Sequence, residues 1–237
     1  MKLCIALNSA SRSDDLVILK ALASNLSQDD ISQLYIKIGL QGFIRDGKDA
    51  LLDVRKYLPN AKIFLDLKLY DIPNTMSEAL GFCADLGVDL LTLHASAGRV
   101  ALEACANAAS KMQIRPLIFG VSALTSFDDA AFYEIYNDSI SNSASKLASL
   151  CFRSGLDGAV CSSFESKQIK DITSPNFLTL CPGIRPFGES ANDQKRVANL
   201  EFCAQNDVDF VVIGRPIYES KDPSKTTQKI LDKMRQL

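Results

Sequence analysis

The sequence has one histidine, no tryptophan and no long apolar run, and each absence argues against a class of function. With a single histidine and no close group of cysteines among its 237 residues, a zinc site is not expected. No apolar run approaches the roughly 18 residues that a membrane-spanning helix needs. Basic and acidic residues are mixed and the formal net charge is −2, whereas nucleic-acid-binding surfaces concentrate positive charge. We therefore expect neither a membrane nor a nucleic-acid partner.

The cysteines indicate a reducing compartment. All seven are scattered along the chain, a pattern typical of buried thiols rather than of a disulfide framework. The segment Met1-Lys2-Leu3-Cys4 leads directly into an apolar run, without the regions of a signal peptide. These features predict a cytoplasmic protein, and the 47% hydrophobic composition is enough for a substantial core.

Short apolar runs alternate with longer amphipathic stretches throughout the chain. The runs are continuous, as expected for parallel strands covered on both faces. They cover residues 3–7, 34–38, 62–67, 90–94, 116–121, 158–161, 177–181 and 209–213. A dinucleotide-binding open sheet would need a glycine-rich turn after the first strand, where the chain reads Asn8-Ser9-Ala10-Ser11. The pattern favours a closed (β/α)8 TIM barrel, with residues 1–237 as a single domain.

Local signals within this pattern predict a helix and two long connections. The spacing of Thr75 and Glu78 predicts a capping box at the start of the helix after the third strand, and Gly87 is expected to end that helix. Residues 126–141 and 187–195 are longer than simple connections. Because loops after barrel strands lie on the catalytic face, either stretch is a candidate lid.

Charged residues concentrate at the end of the third predicted strand. Strand alternation places Asp66 and Lys68 on one side, which faces the mouth of a barrel at this end. Asp71 follows in the next loop, and Lys37, at the end of the second strand, supplies a second cation within reach of Asp66. Two carboxylates would favour the charged, proton-donating form of Lys68 in a partly dry pocket. A structural ion-pair network at the barrel rim is the alternative interpretation.

Two segments that contain glycine and arginine predict a phosphate site. Pro182-Gly183-Ile184-Arg185-Pro186 follows the seventh strand, and Gly214-Arg215-Pro216 follows the eighth. Loops at these positions commonly hold phosphate in barrels of this kind, through backbone N–H groups and a helix N-terminus. Arg215 offers a planar fork to phosphate oxygens. Gln194 lies on the long connection that could fold over the same group.

Two further polar positions lie at predicted strand ends. His94, the only histidine, ends the fourth strand, where a structural role is favoured over that of a general base. Thr125 and its neighbouring hydroxyls follow the fifth strand. They could hydrogen-bond a polar ring at the mouth or simply cap the loop.

The segment Asp66-Leu67-Lys68-Leu69-Tyr70-Asp71-Ile72-Pro73-Asn74-Thr75 resembles the signature of the orotidine 5′-phosphate decarboxylase family. Further motifs match the order and approximate spacing of that family along nearly the whole chain: Ile5-Ala6-Leu7, Lys37-Ile38-Gly39, Leu93-His94-Ala95-Ser96, Leu124-Thr125-Ser126, Pro182-Gly183-Ile184-Arg185-Pro186, Asp193-Gln194 and Ile213-Gly214-Arg215-Pro216. The resemblance implies a homodimeric barrel that decarboxylates orotidine 5′-phosphate to UMP, the last step of de novo pyrimidine nucleotide synthesis. It also implies that no metal or organic cofactor is used.

The same resemblance implies a role for each matching residue. Lys68 would protonate C6 of the pyrimidine, Asp66 would lie beside the departing carboxylate, and Lys37 would contact ribose and hold Asp66. Asp71 and the loop after it would reach into the partner subunit's active site. The other substrate-binding positions implied are Asn8 at the ribose, Thr125 at the pyrimidine, Ile72 and Thr75 on the loop after Asp71, and Arg185, Gln194, Gly214 and Arg215 at the phosphate.

One position departs from the family pattern. Asn8 stands where the family has an aspartate that binds a ribose hydroxyl, so one negative charge beside Lys37 is missing. We expect this change to weaken turnover without abolishing it. One alternative is a metal-dependent relative that shares the D-x-K-x-x-D pattern and acts on sugar phosphates such as 3-keto-gulonate 6-phosphate or hexulose phosphate. Ile72-Pro73-Asn74-Thr75 and the P-G-I-R-P segment argue against it. The other is a non-catalytic nucleotide-binding barrel disabled by Asn8.

Overall fold

The computed structural model describes residues 1–189 and 196–237, and within these ranges eight parallel strands close into a barrel. The strands are β1 (Lys2–Leu7), β2 (Tyr35–Gly39), β3 (Lys62–Leu69), β4 (Leu90–His94), β5 (Leu117–Val121), β6 (Gly158–Val160), β7 (Leu178–Cys181) and β8 (Phe210–Ile213). They follow one another around the barrel in chain order, and β1 pairs with β8 to close it. All their carboxyl ends therefore meet on one face.

Helices follow every strand and cover the outside of the barrel. They are α1 (Arg12–Asn25) and α2 (Gln28–Gln33) after β1; α3 (Leu40–Asp46) and α4 (Lys48–Tyr57) after β2; α5 (Pro73–Asp85) after β3; a 3-10 turn (Ala95–Ala97) and α6 (Arg99–Ser110) after β4; α7 (Asp129–Tyr136) and α8 (Ile140–Arg153) after β5; α9 (Ser166–Ile172) after β6; α10 (Leu200–Gln205) after β7; and α11 (Arg215–Tyr218) and α12 (Pro223–Arg235) after β8. Within the described ranges, no helix is long and apolar enough to cross a membrane.

Apolar side chains form two layers, one inside the barrel and one between the barrel and the helices. The interior layer includes the rings of Tyr35, Phe64, Phe119 and Phe210. On β3, Ile63 and Leu65 belong instead to the outer layer. Both faces of the strand are therefore apolar, which explains why the strand sequences are continuous rather than alternating. The alternation also turns Asp66 toward the barrel axis at the catalytic face.

The closed barrel predicted from the sequence is confirmed, and each predicted strand lies where a strand is found. The largest difference is at β3, which extends to Leu69 rather than ending at residue 67. The helix after β3 begins at Pro73, not at the predicted capping box of Thr75 and Glu78. Proline has the backbone angle of a first helical residue and lacks the N–H that would need a cap. Gly87 ends this helix as predicted, with φ +74°.

The predicted long connection after β5 contains an ordered helix, α7. Asp128 caps it by accepting a hydrogen bond from the Ala131 N–H at 3.0 Å. The buried ring of Phe132 packs against Ala123 and Ile140. Residues 126–141 are therefore a short helix with its own apolar contacts at the catalytic face. Of the other predicted lid, 187–195, only residues 187–189 are among those described.

Candidate active site

A cavity of about 830 Å³ opens at the carboxyl ends of the strands. Its floor is the top of the interior apolar layer: Ala6, Phe64, Val121, Val160, Leu180 and Val212. Polar and charged side chains are arranged around this apolar floor. Of the residues singled out in the sequence, the cavity brings together Asn8, Lys37, Asp66, Lys68, Thr125, Arg185, Gly214 and Arg215.

Asp66 is the centre of the charge array. Its Oδ1 accepts hydrogen bonds from Lys68 Nζ at 2.8 Å and from the Thr92 hydroxyl at 2.9 Å. Its Oδ2 lies 3.3 Å from Lys37 Nζ. Lys37 is almost completely buried, whereas the side chain of Lys68 remains 35% exposed to the cavity. The pairing predicted for Lys37, Asp66 and Lys68 is present. All three side chains line the cavity, and Lys68 is the most exposed of them.

Asp66 stays ionised in this setting. Burial alone would raise the pKa of its carboxyl, but the charges of Lys37 and Lys68 oppose that effect. Hydrogen bonds from Lys68 and Thr92 act in the same direction, and the resulting pKa of Asp66 is below its ordinary value. The array is therefore a buried carboxylate held between two ammonium groups, with a formal sum of one positive charge.

The backbone at Lys68 departs from a regular strand. Pairing between β3 and β4 shifts register between Leu65 and Leu69, and Lys68 adopts φ +51°. A left-handed conformation is uncommon for a lysine and is maintained only where the surroundings enforce it. The Lys68 N–H donates to the Thr92 hydroxyl at 3.0 Å. A bulge, rather than simple strand alternation, thus directs the Lys68 ammonium back to Asp66.

Two loops place arginine side chains at the other side of the cavity. Arg185, on the loop after β7, is buried and donates through Nη1 to the Ile184 carbonyl at 3.2 Å. Arg215 begins the short helix α11, directly after Gly214. A Cβ at Gly214 would lie 3.3 Å from the Tyr218 ring, so the backbone is closely packed there. Gly183 has φ +77°, which glycine adopts without strain. The two loops lie side by side at one edge of the cavity, and a phosphate site there stays a prediction.

Asn8 is exposed at the cavity wall beside the Lys37 ammonium. A Cβ placed on Gly39 would lie 3.2 Å from Lys37 Nζ and 3.3 Å from Asn8 Oδ1. Glycine at position 39 therefore leaves room for both polar groups. Thr125, on the wall after β5, is buried. Its hydroxyl and that of Ser126 give this wall its polar groups.

Four predicted site residues are not brought into the cavity by the described part of this single chain. Asp71 is exposed, and its Oδ1 accepts from the Ile72 N–H at 2.7 Å. Among the described residues it forms no ion pair with Lys68, so the predicted four-member array is a three-member array here. Ile72 and Thr75 are also exposed. Gln194 lies outside the described residues.

His94 has the environment of a neutral, structural histidine. Its ring stacks on Tyr70 with centroids 5.4 Å apart, and its Nδ1 accepts from the Ser96 N–H at 3.3 Å. Burial and, to a lesser extent, the charge of Lys68 lower the pKa of His94. A ring with Nδ1 as the acceptor carries its proton on Nε2. These contacts favour the structural role over the general base.

Sequence reasoning missed Thr92, which is completely buried and bonded to both Asp66 and the Lys68 backbone. The available signal was a polar residue within the apolar run of β4. Tyr218 and Glu219 of the cavity wall were missed as well. In the described ranges, no group of three or more His, Cys, Asp or Glu side chains is arranged to hold a metal ion.

Comparison with known proteins identifies a family whose sequences match this chain. Residues 1–230 match the family described as Orotidine 5'-phosphate decarboxylase / HUMPS family. The chain is 48% identical to the orotidine 5'-phosphate decarboxylase of Campylobacter concisus (strain 13826) over 234 residues, which are 99% of this chain and 100% of the relative. It is also 48% identical to the enzyme of that name from Nautilia profundicola, over 100% of both chains.

A solved structure has the same fold. The crystal structure of orotidine 5'-phosphate decarboxylase from Lactobacillus acidophilus superposes with a TM-score of 0.81 at 26% identity. The superposition covers 98% of each chain. The similarity therefore extends over nearly the whole chain and is not limited to the charged signature.

Proposed function

Because this chain belongs to the orotidine 5′-phosphate decarboxylase / HUMPS family, we propose that Lys68 is its proton donor and that Asp66 and Lys37 hold that lysine in place. The chain is a carboxy-lyase that converts orotidine 5′-phosphate to UMP in pyrimidine biosynthesis. The observation that carries the residue assignment is the Lys68–Asp66–Lys37 array, whose one exposed ammonium faces the cavity.

The charges around the cavity suggest one orientation of the substrate. Its phosphate dianion is placed at Arg185, Arg215 and the backbone of Gly214, because guanidinium groups form paired hydrogen bonds with phosphate. The ribose then lies near Asn8 and Lys37. The orotate ring reaches the opposite wall between Lys68 and Thr125, and its polar edge meets the hydroxyls of that wall.

Asp66 lies beside the substrate carboxylate in this orientation. Two carboxylates in a partly desolvated site repel each other, and the repulsion ends when CO2 departs. Substrate binding must offset this repulsion between the carboxylates. Contacts with the phosphate, which is remote from the reacting carbon, can supply the necessary binding energy. Lys68 favours the transition state further, because its positive charge adjoins the carbon on which negative charge develops.

The bond changes balance with one proton from solvent as the only other reactant. The bond between C6 and the carboxylate carbon breaks, and its electron pair stays on C6 in the plane of the ring. CO2 leaves, and the Lys68 ammonium gives a proton to C6 to form UMP. The neutral amine of Lys68 then regains a proton from solvent. Protonation of C6 therefore uses the ammonium of the array, and solvent restores it for the next turnover.

We place Asp71 of one subunit in the active site of its partner, in a homodimer. Asp71 is exposed on the loop after β3, next to Tyr70 and Ile72, whose side chains are 65% and 66% exposed. Exposed apolar side chains beside a carboxylate are suited to burial against a second subunit. In that arrangement Asp71 would supply the second carboxylate for Lys68, and Ile72 and Thr75 would approach the partner's substrate.

We also propose a cytoplasmic location. All seven cysteines lie in the described ranges, and each is a free, buried thiol. The sulfur atoms of Cys161 and Cys181 lie 3.9 Å apart and do not form a disulfide bond. Reduced thiols at such close approach are typical of a reducing compartment.

The Lys68→Ala variant tests the assignment of the proton donor. We expect kcat for loss of orotidine 5′-phosphate, followed by absorbance, to fall by at least about a thousandfold, since both the proton and the adjacent charge are removed. UMP binding, measured by calorimetry, should remain detectable because the phosphate site is intact. Turnover of Lys68→Ala near the wild-type rate would refute the proposal. Loss of wild-type activity on addition of EDTA would show that a metal ion is required and would refute the cofactor-free chemistry.

A further inference from the structure

Thr92 joins the two residues on which the proton transfer depends. It lies in the middle of β4, completely buried, and its hydroxyl is the one side-chain group that bonds to both Asp66 and the Lys68 backbone within the described chain. The hydroxyl donates to Asp66 Oδ1 at 2.9 Å and accepts from the Lys68 N–H at 3.0 Å. A hydroxyl has one donor and two acceptor sites, so both bonds form at once.

The bulge in β3 explains why a hydroxyl is needed at this position. Between Leu65 and Leu69 the backbone of β3 leaves the regular ladder with β4, where only Thr92 lies between the paired residues Leu91 and Leu93. The Lys68 N–H would otherwise lack a partner in a partly buried position, which is energetically costly. The Thr92 hydroxyl replaces the missing carbonyl and holds Lys68 in its left-handed conformation.

The bond to Asp66 fixes the other end of the same unit. Oδ1 is shared between the Thr92 hydroxyl and Lys68 Nζ, so the carboxylate has a defined rotation about its side-chain bond. Oδ2 is left to face Lys37 at 3.3 Å. Loss of the hydroxyl would therefore remove a constraint on the orientation of the Asp66 carboxylate and, at the same time, a constraint on the Lys68 backbone.

We propose that Thr92 is a positioning residue of the decarboxylation: its hydroxyl sets the direction of the Lys68 ammonium and of the Asp66 carboxylate without touching the substrate. This inference rests on the proposed roles of Lys68 and Asp66. Thr92 lies below both groups in the barrel interior, so it influences their geometry and leaves the phosphate and ribose contacts unchanged.

The test compares Thr92→Val, which keeps the side-chain shape, with Thr92→Ser, which keeps the hydroxyl. A hydrogen bond to a charged group contributes enough that its loss should lower kcat by about 10-fold to 100-fold in Thr92→Val. KM and the affinity for UMP should change by less than about threefold, because the binding groups are untouched. Thr92→Ser should retain kcat within about threefold of the wild type.

Thr179→Val provides a matched control. Thr179 is also a completely buried barrel threonine, and its hydroxyl bonds to Ser166 and Asp209 near the amino end of β7. This variant should lose stability in a thermal melt and keep the wild-type kcat. If Thr92→Val does not fold, Thr92→Ala and Thr92→Ser form the deciding pair, since both lack the methyl group and only serine has the hydroxyl.

The outcomes separate this inference from the proposed function. The role of the hydroxyl would be overturned if Thr92→Val kept the wild-type kcat. It would also be overturned if Thr92→Ser lost as much kcat as the variants without a hydroxyl. If either result accompanied an inactive Lys68→Ala, the proton donor would stand and the role of Thr92 alone would fail. Near-normal turnover of Lys68→Ala would overturn both.

Discussion

At the scale of single residues, the site depends on one carboxylate between two ammonium groups. Asp66 balances one of the two positive charges, so the array keeps a net positive charge that attracts an anionic substrate. It also keeps its own negative charge, because its pKa lies below the ordinary value. In the proposed orientation, the substrate carboxylate would be attracted by the net positive charge of the array and repelled by the adjacent Asp66. Loss of CO2 would then remove the repulsion and leave the attraction.

The Asn8→Asp variant should be a better catalyst than the wild-type chain. The substitution would place a carboxylate beside the Lys37 ammonium and give the ribose a charged acceptor, which binds a hydroxyl more strongly than an amide does. We expect kcat/KM to rise by about tenfold, the effect of roughly 1.4 kcal/mol. Steady-state kinetics on orotidine 5′-phosphate measure it.

Asn176→Asp is the control for the change in net charge. Asn176 is exposed between α9 and β7, at the amino-terminal side of the barrel, so this variant should keep the wild-type kcat/KM. Equal kcat/KM for Asn8→Asp and the wild type would show instead that this position tolerates both residues.

The sequence predicted three members of the array that the structure shows, but it also counted Asp71 among them and did not predict how the three are held. Lys37, Asp66 and Lys68 could be grouped because they end two adjacent strands of a predicted barrel. The left-handed backbone of Lys68 could not be foreseen, since it follows from pairing with β4, a contact between distant parts of the chain. Thr92 escaped notice for the same reason: a lone threonine in an apolar run gives no indication of its partner.

At the scale of elements, close packing between strands limits which side chains the barrel accepts. Gly158 begins β6, where a Cβ would overlap the Leu178 carbonyl and the Phe119 ring. Backbone and a core ring cannot both move aside at little cost. We expect Gly158→Ala to lower the free energy of unfolding by about 2 to 3 kcal/mol, measured by urea denaturation.

Gly81→Ala is the matched control, and we expect it to change the free energy of unfolding in the opposite direction. Gly81 lies inside helix α5, and a Cβ there would meet no atom within 4 Å. Alanine is the better helix former, so the variant should gain about 0.8 kcal/mol. A Gly158→Ala variant as stable as the wild type would mean that the interior is less tightly packed than the structure indicates.

Strands were predicted more accurately than helix starts, for a physical reason. Continuous apolar runs identify buried strands because a strand that is covered on both faces needs apolar side chains at successive positions. Helix starts are decided by competing local signals. In α5 the first turn is set by Pro73, and Glu78 accepts a hydrogen bond from Asn74 Nδ2 at 3.1 Å rather than closing a capping box with Thr75. The sequence contained both signals, and proline at the first position prevailed.

At the scale of the whole molecule, the proposed dimer requires two subunits for each complete active site. Mixing two inactive variants tests this. In a heterodimer of Lys68→Ala and Asp71→Ala, one site carries both changes and the other carries neither. Random assembly of equal amounts should therefore restore about a quarter of the wild-type activity.

A mixture of Lys68→Ala and Lys37→Ala is the control, because both residues belong to the same subunit's site and no complete site can form. Its activity should equal the average of the two variants. If the mixture with Asp71→Ala also shows only that average, Asp71 does not act across an interface.

The central claim is that the Lys68 ammonium faces the carbon that loses CO2, and a crystal structure of the chain with bound UMP tests it most directly. The account predicts Lys68 Nζ about 3 to 3.5 Å from C6 of the pyrimidine, a distance that allows proton transfer, with the phosphate at Arg185 and Arg215. A pyrimidine ring bound in the cavity with C6 well beyond reach of Lys68 would contradict it.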